Sequence, residues 1–170
     1  MRKRMLKRTA LGWMAAILVA STAFGPTSEV ANAEEVQPTA VSAPSEPIAR
    51  TAAPAVELFS VFNPSHLYLD NGSHAITATT GKVTVNAVTS ALVVVDSIGI
   101  TFYVEKWSGS AWEIVGSGST VGTNNATYYS TTFSKSVTAG YYYRARTKHW
   151  VIKNGTYEEG EVISGSVLGI

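Results

Sequence analysis

Apolar and polar residues alternate along much of the second half of the chain. The pattern is clearest in Val83-Thr84-Val85-Asn86-Ala87 and at Ile98, Ile100, Phe102 and Val104. A period of two with one apolar face predicts half-buried antiparallel strands. From Leu58 onward Val, Ile, Thr, Tyr and Phe dominate, in short runs cut by Gly, Asn and Ser. The predicted strands are 66–69, 74–79, 82–88, 98–107, 112–116, 127–137, 141–152 and 157–169. Many short strands separated by turn signals predict an all-β sandwich or barrel. Its core is expected to hold Val83, Val85, Ile98, Ile100, Phe102, Val104, Phe133 and Tyr143.

Two hairpins follow from turn chemistry. Asn154-Gly155 supplies two residues that tolerate positive φ, as a type I′ turn requires. That loop sets Lys153 opposite Thr156 and Lys148 opposite Glu161. Trp107-Ser-Gly-Ser-Ala-Trp112 reads as a hairpin with a four-residue loop. It sets Trp107 opposite Trp112 and Lys106 opposite Glu113. In both registers a cation meets a carboxylate, which favours the pairing by about 0.2–1 kcal/mol.

The first half of the chain has a different texture. Residues 1–33 carry the three parts of a secretory signal: a basic start through Arg8, an apolar stretch from Leu11 to Ala20, and the small-x-small site Ala31-Asn32-Ala33. The apolar stretch is short for a membrane span. Cleavage before Glu34 is therefore expected, with Ser21-Thr22-Ala23 as the lesser site. Residues 34–57 hold Pro38, Pro44, Pro47 and Pro54 with few large apolar side chains. They read as a disordered linker or short pro-segment. Residues 58–170 are the folded domain. The chain is expected to be secreted or held at the cell surface, with no membrane association after cleavage. No wall-sorting motif follows the domain, so covalent wall attachment is not indicated.

Charge and cysteine count narrow the function. The 170 residues include no Cys, so no disulfide, thiolate metal site or cysteine nucleophile is available. The formal charge of +1 is carried by the first eight residues. From Glu34 onward eight cations stand against eleven acids, a net charge near −3. That is no nucleic-acid signature.

Val137-Thr-Ala-Gly140-Tyr-Tyr-Tyr143-Arg-Ala-Arg146 resembles the turn into the sixth strand of fibronectin type III-like and immunoglobulin-like sandwiches, with Ala139 where a proline is usual. The resemblance implies that the Tyr143 hydroxyl bonds back to the backbone at that corner. Three segments together resemble a family of small secreted proteins of unknown function from Bacillus-like Gram-positive bacteria. They are Lys82-Val-Thr-Val, Asp96-Ser-Ile-Gly-Ile-Thr-Phe-Tyr-Val-Glu-Lys-Trp107-Ser-Gly-Ser-Ala-Trp112 and Gly140-Tyr-Tyr-Tyr-Arg-Ala-Arg-Thr-Lys-His149. That likeness implies source and location and transfers no catalytic residue.

Candidate chemistry is sparse. His66, His74 and His149 form no His-x-x-x-His or His-x-His pair. His149 with Glu159 or Glu161 on the next strand is a candidate acid–base or metal pair; the plainer reading is a surface histidine on a hairpin. No Gly-x-Ser-x-Gly elbow occurs, and Gly116-Ser-Gly-Ser-Thr-Val-Gly122 lacks the lysine of a phosphate loop. Among the acids of the central strands, Asp96, Glu105 and Glu113, the last has Lys106 as partner. No enzyme, cofactor or metal is expected. The most suggestive strand is 141–150. Tyr142, Arg144, Arg146, Lys148 and Trp150 alternate onto one face, expected to be a solvent-exposed stripe. Tyr141, Tyr143, Ala145, Thr147 and His149 take the other. Stacking rings and forked guanidinium groups suit a glycan or anionic polymer. The structural alternative pairs those cations with Glu159 and Glu161. Trp107 and Trp112 are a second candidate, either a sugar platform or a cross-strand aromatic pair. The sequence thus points to an immunoglobulin-like or fibronectin-like β-sandwich that binds a cell-wall polymer or another extracellular protein.

Overall fold

The Val83–Ala87 and Ile98–Val104 alternations belong to one strand. In the computed structural model, which describes residues 48–57 and 59–170, strand β3 runs unbroken from Lys82 to Trp107. The signal sequence and most of the linker expected from the sequence lie outside the described residues. Those present are all-β, in the order β1 (Phe59–Val61), β2 (Leu69–Thr79), β3, β4 (Trp112–Ile114), β5 (Ser119–Ser136), β6 (Tyr142–Lys153), β7 (Thr156–Ile163) and β8 (Val167–Leu168). Among the described residues no helix is long and apolar enough to cross a membrane.

All eight strands join one antiparallel sheet, and β3 is its spine. The first half of β3 lies between β2 (Thr79↔Lys82 to Leu69↔Ala91) and β5 (Lys82↔Ser136 to Ser90↔Tyr128). Its second half lies between β5 (Val95↔Ala126 to Phe102↔Ser119) and β6 (Ser97↔Ile152 to Lys106↔Tyr143). The β3–β5 ladder breaks between Ser90 and Val95, beside Asn125 at φ 53°. A break of this kind bends and twists a strand pair. Here it curls the sheet so that its inner face closes on itself. Val83, Val85 and Ala87 of the first half thereby pack with Ile100, Phe102 and Val104 of the second and with Tyr143 and Ala145 of β6. A smaller cluster, Leu69, Val95, Ile98 and Val151, lies apart, so Ile98 leaves the group expected for it. Phe133 is half-buried rather than buried, stacked on Phe102 with ring centroids 5.3 Å apart.

Both expected hairpins form in the expected register. Lys153 pairs with Thr156 and Lys148 with Glu161, around Asn154 and Gly155 at φ 50° and 78°. Trp107 pairs with Trp112 and Lys106 with Glu113. The Tyr143 hydroxyl donates to the Thr138 carbonyl (3.0 Å) and accepts from the Thr138 N–H (3.1 Å), the backbone tie implied for this corner.

Two polar ties hold the β2 side of the curl to β6 and β7. The Glu158 carboxylate of β7, 8 % exposed, accepts from the N–H groups of Leu67 (2.7 Å), Tyr68 (2.9 Å) and Leu69 (2.7 Å). Burial alone would push its pKa up; the three donors outweigh that and hold it below the usual carboxylate value. Glu158→Gln keeps the shape but points an amide N–H₂ at backbone donors. It is expected to cost about 2 kcal/mol in urea unfolding, the scale of hydrogen bonds to a charged group. An unchanged midpoint would mean that water serves these amides equally well.

The second tie crosses from β2 to β6. His74 Nδ1 lies 2.6 Å from the Thr147 hydroxyl, which lies 2.8 Å from His149 Nε2. His149 Nδ1 in turn lies 2.8 Å from the Thr89 hydroxyl, which donates to the Gly99 carbonyl at 3.2 Å. Both histidines are pushed down to about 4, chiefly by burial. His149 is fully buried.

Candidate functional site

The side-chain period places one set of residues on the outer face of the β3–β6–β7 layer. On β3 the residues between the core positions, Gly99, Thr101, Tyr103, Glu105 and Trp107, point outward together. In register beside them stand Trp150, Lys148, Arg146 and Arg144 of β6, and then Glu159, Glu161 and Ile163 of β7. Trp112 of β4 sits across from Trp107, with ring centroids 5.2 Å apart and tilted by 54°. The stripe on β6 and the hairpin-tip tryptophans, two separate candidates in the sequence, thus share one surface. From Trp107 to Gly99 it runs about 27 Å at 3.4 Å per residue.

The stripe is half-buried rather than bare. Arg144 and Arg146 converge on Glu105, with N···O distances of 2.7 and 3.0 Å. Their outer sides reach Glu57 (3.4 Å) and Glu161 (3.6 Å) respectively. The side chains of Arg144, Arg146 and Lys148 are 12 %, 25 % and 33 % exposed. Lys148 bonds Glu159 at 2.7 Å, and Glu159 accepts a second bond from the Tyr157 hydroxyl at 2.6 Å. The Glu159 bond raises the Lys148 pKa; burial opposes, yet the two donors hold Glu159 below the usual carboxylate range. Burial and the Glu159 contact raise the Tyr157 phenol. The register sets Lys148 opposite Glu161, as the sequence implied, but its ion pair is to Glu159 across the diagonal.

The aromatic rings lie along this charge ladder. The Arg144 guanidinium sits 4.4 Å from the Trp112 ring centre, and that of Arg146 sits 4.8 Å from Tyr103. Trp150 lies flat over a gap in the neighbouring strands. Gly99 pairs with both Gly122 and Trp150, and a Cβ at Gly99 would collide with the indole and with the Val121 carbonyl. Tyr103 covers Gly118 in the same manner. Absent side chains on β3 and β5 thus make room for rings lying parallel to the sheet.

His149 stands on the opposite face from Glu159 and Glu161. It is neither the acid–base partner of those carboxylates nor a surface histidine, because the alternation that exposes Lys148 and Trp150 turns it into the core. Among the described residues no group of three or more His, Asp or Glu side chains is placed to hold a metal ion. Asp96 instead organises the β6–β7 turn. It accepts from the Asn154 N–H at 2.7 Å and from Lys153 at 3.1 Å, and these bonds lower its pKa. Tyr103 and the Gly99–Gly122 pair are site features that the sequence did not single out, and Glu105 stood there only as one acid of the central strands, not as the partner of two arginines. Their signal was the complement of the core pattern, since whatever alternates with Ile98, Ile100, Phe102 and Val104 must face outward. No protein-family model, curated protein or solved structure matches the chain.

Proposed function

We propose that this chain is a secreted, non-enzymatic binding module of the cell envelope, and that the outer face of β3, β6 and β7 binds a neutral glycan. One observation carries the choice of ligand: every cation of the stripe already has a carboxylate partner. Arg144, Arg146 and Lys148 are matched by Glu57, Glu105, Glu159 and Glu161. An anionic polymer would have to compete with those carboxylates. A sugar chain needs only flat rings to stack on and fixed polar groups beside them, and Trp107, Trp112, Tyr103 and Trp150 supply the rings along this outer face, with a guanidinium over one side of Trp112 and of Tyr103. The same reading takes the domain as a fibronectin-like sandwich. In its favour are the two halves of β3 facing each other across the core and the Tyr143 tie at its corner.

The test is retention of the protein on purified peptidoglycan stripped of anionic polymers, at low and high salt. Retention is expected to survive high salt. Trp112→Ala is expected to weaken it on the order of tenfold, the equivalent of one lost contact of about 1.4 kcal/mol. Arg144→Ala with Arg146→Ala should lower stability more than retention. Loss of retention in salt, or in the arginine double variant at unchanged stability, would favour an anionic polymer. No retention at all would discard the glycan reading.

A further inference from the structure

We propose that the seam where the curled sheet fails to close is a binding site for an extended peptide strand of another protein. The curl brings β2 beside β6, β7 and β8, but among the described residues β2 forms a ladder only with β3. Along its other edge every second residue therefore turns a backbone N–H and C=O away from β3. That edge borders an open cleft of about 560 Å³. Phe59, Ile76, Val162, Ile163 and Val167 give it apolar walls, and Ser164 and Ser166 line its far side.

His74 supplies the specific element. Thr89 spends its only hydroxyl proton on the Gly99 carbonyl, so it must accept from His149 Nδ1–H. His149 Nε2 is then the bare nitrogen and takes the Thr147 proton, which leaves Thr147 to accept from His74 Nδ1–H. The chain of bonds ends on His74 Nε2 as a lone pair. That atom is buried, has no hydrogen-bond partner among the described residues, and belongs to a residue lining the cleft. A buried acceptor without a donor costs stability that a ligand can recover.

Together these features describe one kind of occupant. The free edge of β2 calls for a partner with its own unpaired backbone, a β-strand added to the sheet. The walls call for apolar side chains at alternate positions. The His74 lone pair calls for a hydroxyl or amide donor at one inward position between them. A small apolar alcohol would satisfy His74 and the walls but would leave the edge unpaired. The site meets the aromatic face only at Ile163, being built on the seam and the edge of β2.

The probe is a terminally blocked heptapeptide, Thr-Val-Thr-Ser-Thr-Val-Thr, whose one face carries Val, Ser and Val together, titrated into the full ¹⁵N-labelled chain. Amide shifts are expected to be confined to β2 and to residues 162–167, with slowed amide exchange along β2. The same peptide N-methylated at alternate residues should not bind, because it cannot extend the ladder. His74→Phe should weaken binding about tenfold. Since His74 also ties β2 to β6, Ser166→Trp provides a second variant, which fills the cleft from an exposed position. It should block binding at an unchanged melting temperature. The proposal fails if the peptide leaves β2 unperturbed, if the N-methylated form binds equally well, or if Ser166→Trp binds normally. It also fails if sedimentation shows a dimer that occupies the β2 edge, which would make a second copy the occupant.

Discussion

Acidification from pH 7.5 to pH 4 is expected to remove about 3 kcal/mol of folding stability through His149 alone. Its pKa falls from an ordinary 6.5 to about 4 in the fold, first because it is buried and second because His74 lies near. Between those two values the unfolded chain holds a proton that the folded chain refuses. Stability is therefore full above pH 6.5 and drains as pH falls toward 4, at about 1.4 kcal/mol per unit. His74 pushes in the same direction, with its own pKa lowered to about 4. The two are joined through Thr147 and titrate as a pair, so their contributions do not simply add. The carboxylates held low, Glu158, Glu159 and Asp96, lose their share only below the ordinary carboxylate range. Urea unfolding at steps between pH 7.5 and 4.5 isolates the histidines. A flat profile across that window would mean that the chain from His74 to Thr89 tolerates a charge.

Phe102→Ala is expected to cost about 3–5 kcal/mol in the same assay at neutral pH, the range for truncating a fully buried ring. Phe102 is 1 % exposed and lies between the two halves of β3, against Val83, Val85, Tyr143 and the Phe133 ring. Phe133→Ala should cost less, because that ring is half-exposed at the rim. Equal losses would place the two rings at the same depth. A loss under about 1 kcal/mol for Phe102 would mean that the core had refilled the cavity.

The sequence was most legible where one side-chain period ran without interruption. The inward faces of β3 and β6 followed from strict alternation, and the β6–β7 turn from Asn154-Gly155. Residues 89–97 were not legible as strand. Ala91-Leu-Val-Val-Val95 breaks the alternation at the point where the sheet bends, and Leu92, Val93 and Val94 are exposed there. The first half of β5, Ser119–Asn125, was hidden for another reason. Gly, Asn and Thr normally signal loops, whereas here Gly122 makes room for Trp150. The short pieces β1 and β8 owe their form to the strands they join, β7 and β6. The members of the outer face were readable one strand at a time. What the sequence withheld was register between distant strands, which brings Trp112 under Arg144 and Glu105 between two arginines. Glu158 was the least visible of all, because its three partners lie where a distant loop enters β2 and offer only backbone.

The sharing of β3 between both halves of the sheet also dictates the order in which the molecule can be assembled. Neither half owns a spine of its own, so neither can bury its inner face without the other. The first strand, moreover, is held by one near the far end, with Phe59 opposite Ile163. The early strands β2, β3 and β5 can pair with one another, but β1 and the open side of the second half of β3 have no neighbour until β6 and β7 arrive. The domain must stay open until β7 has arrived, and then close in one step across long loops, which makes folding slow for its size. With no cysteine to trap a partial form, everything is gained or lost in that step.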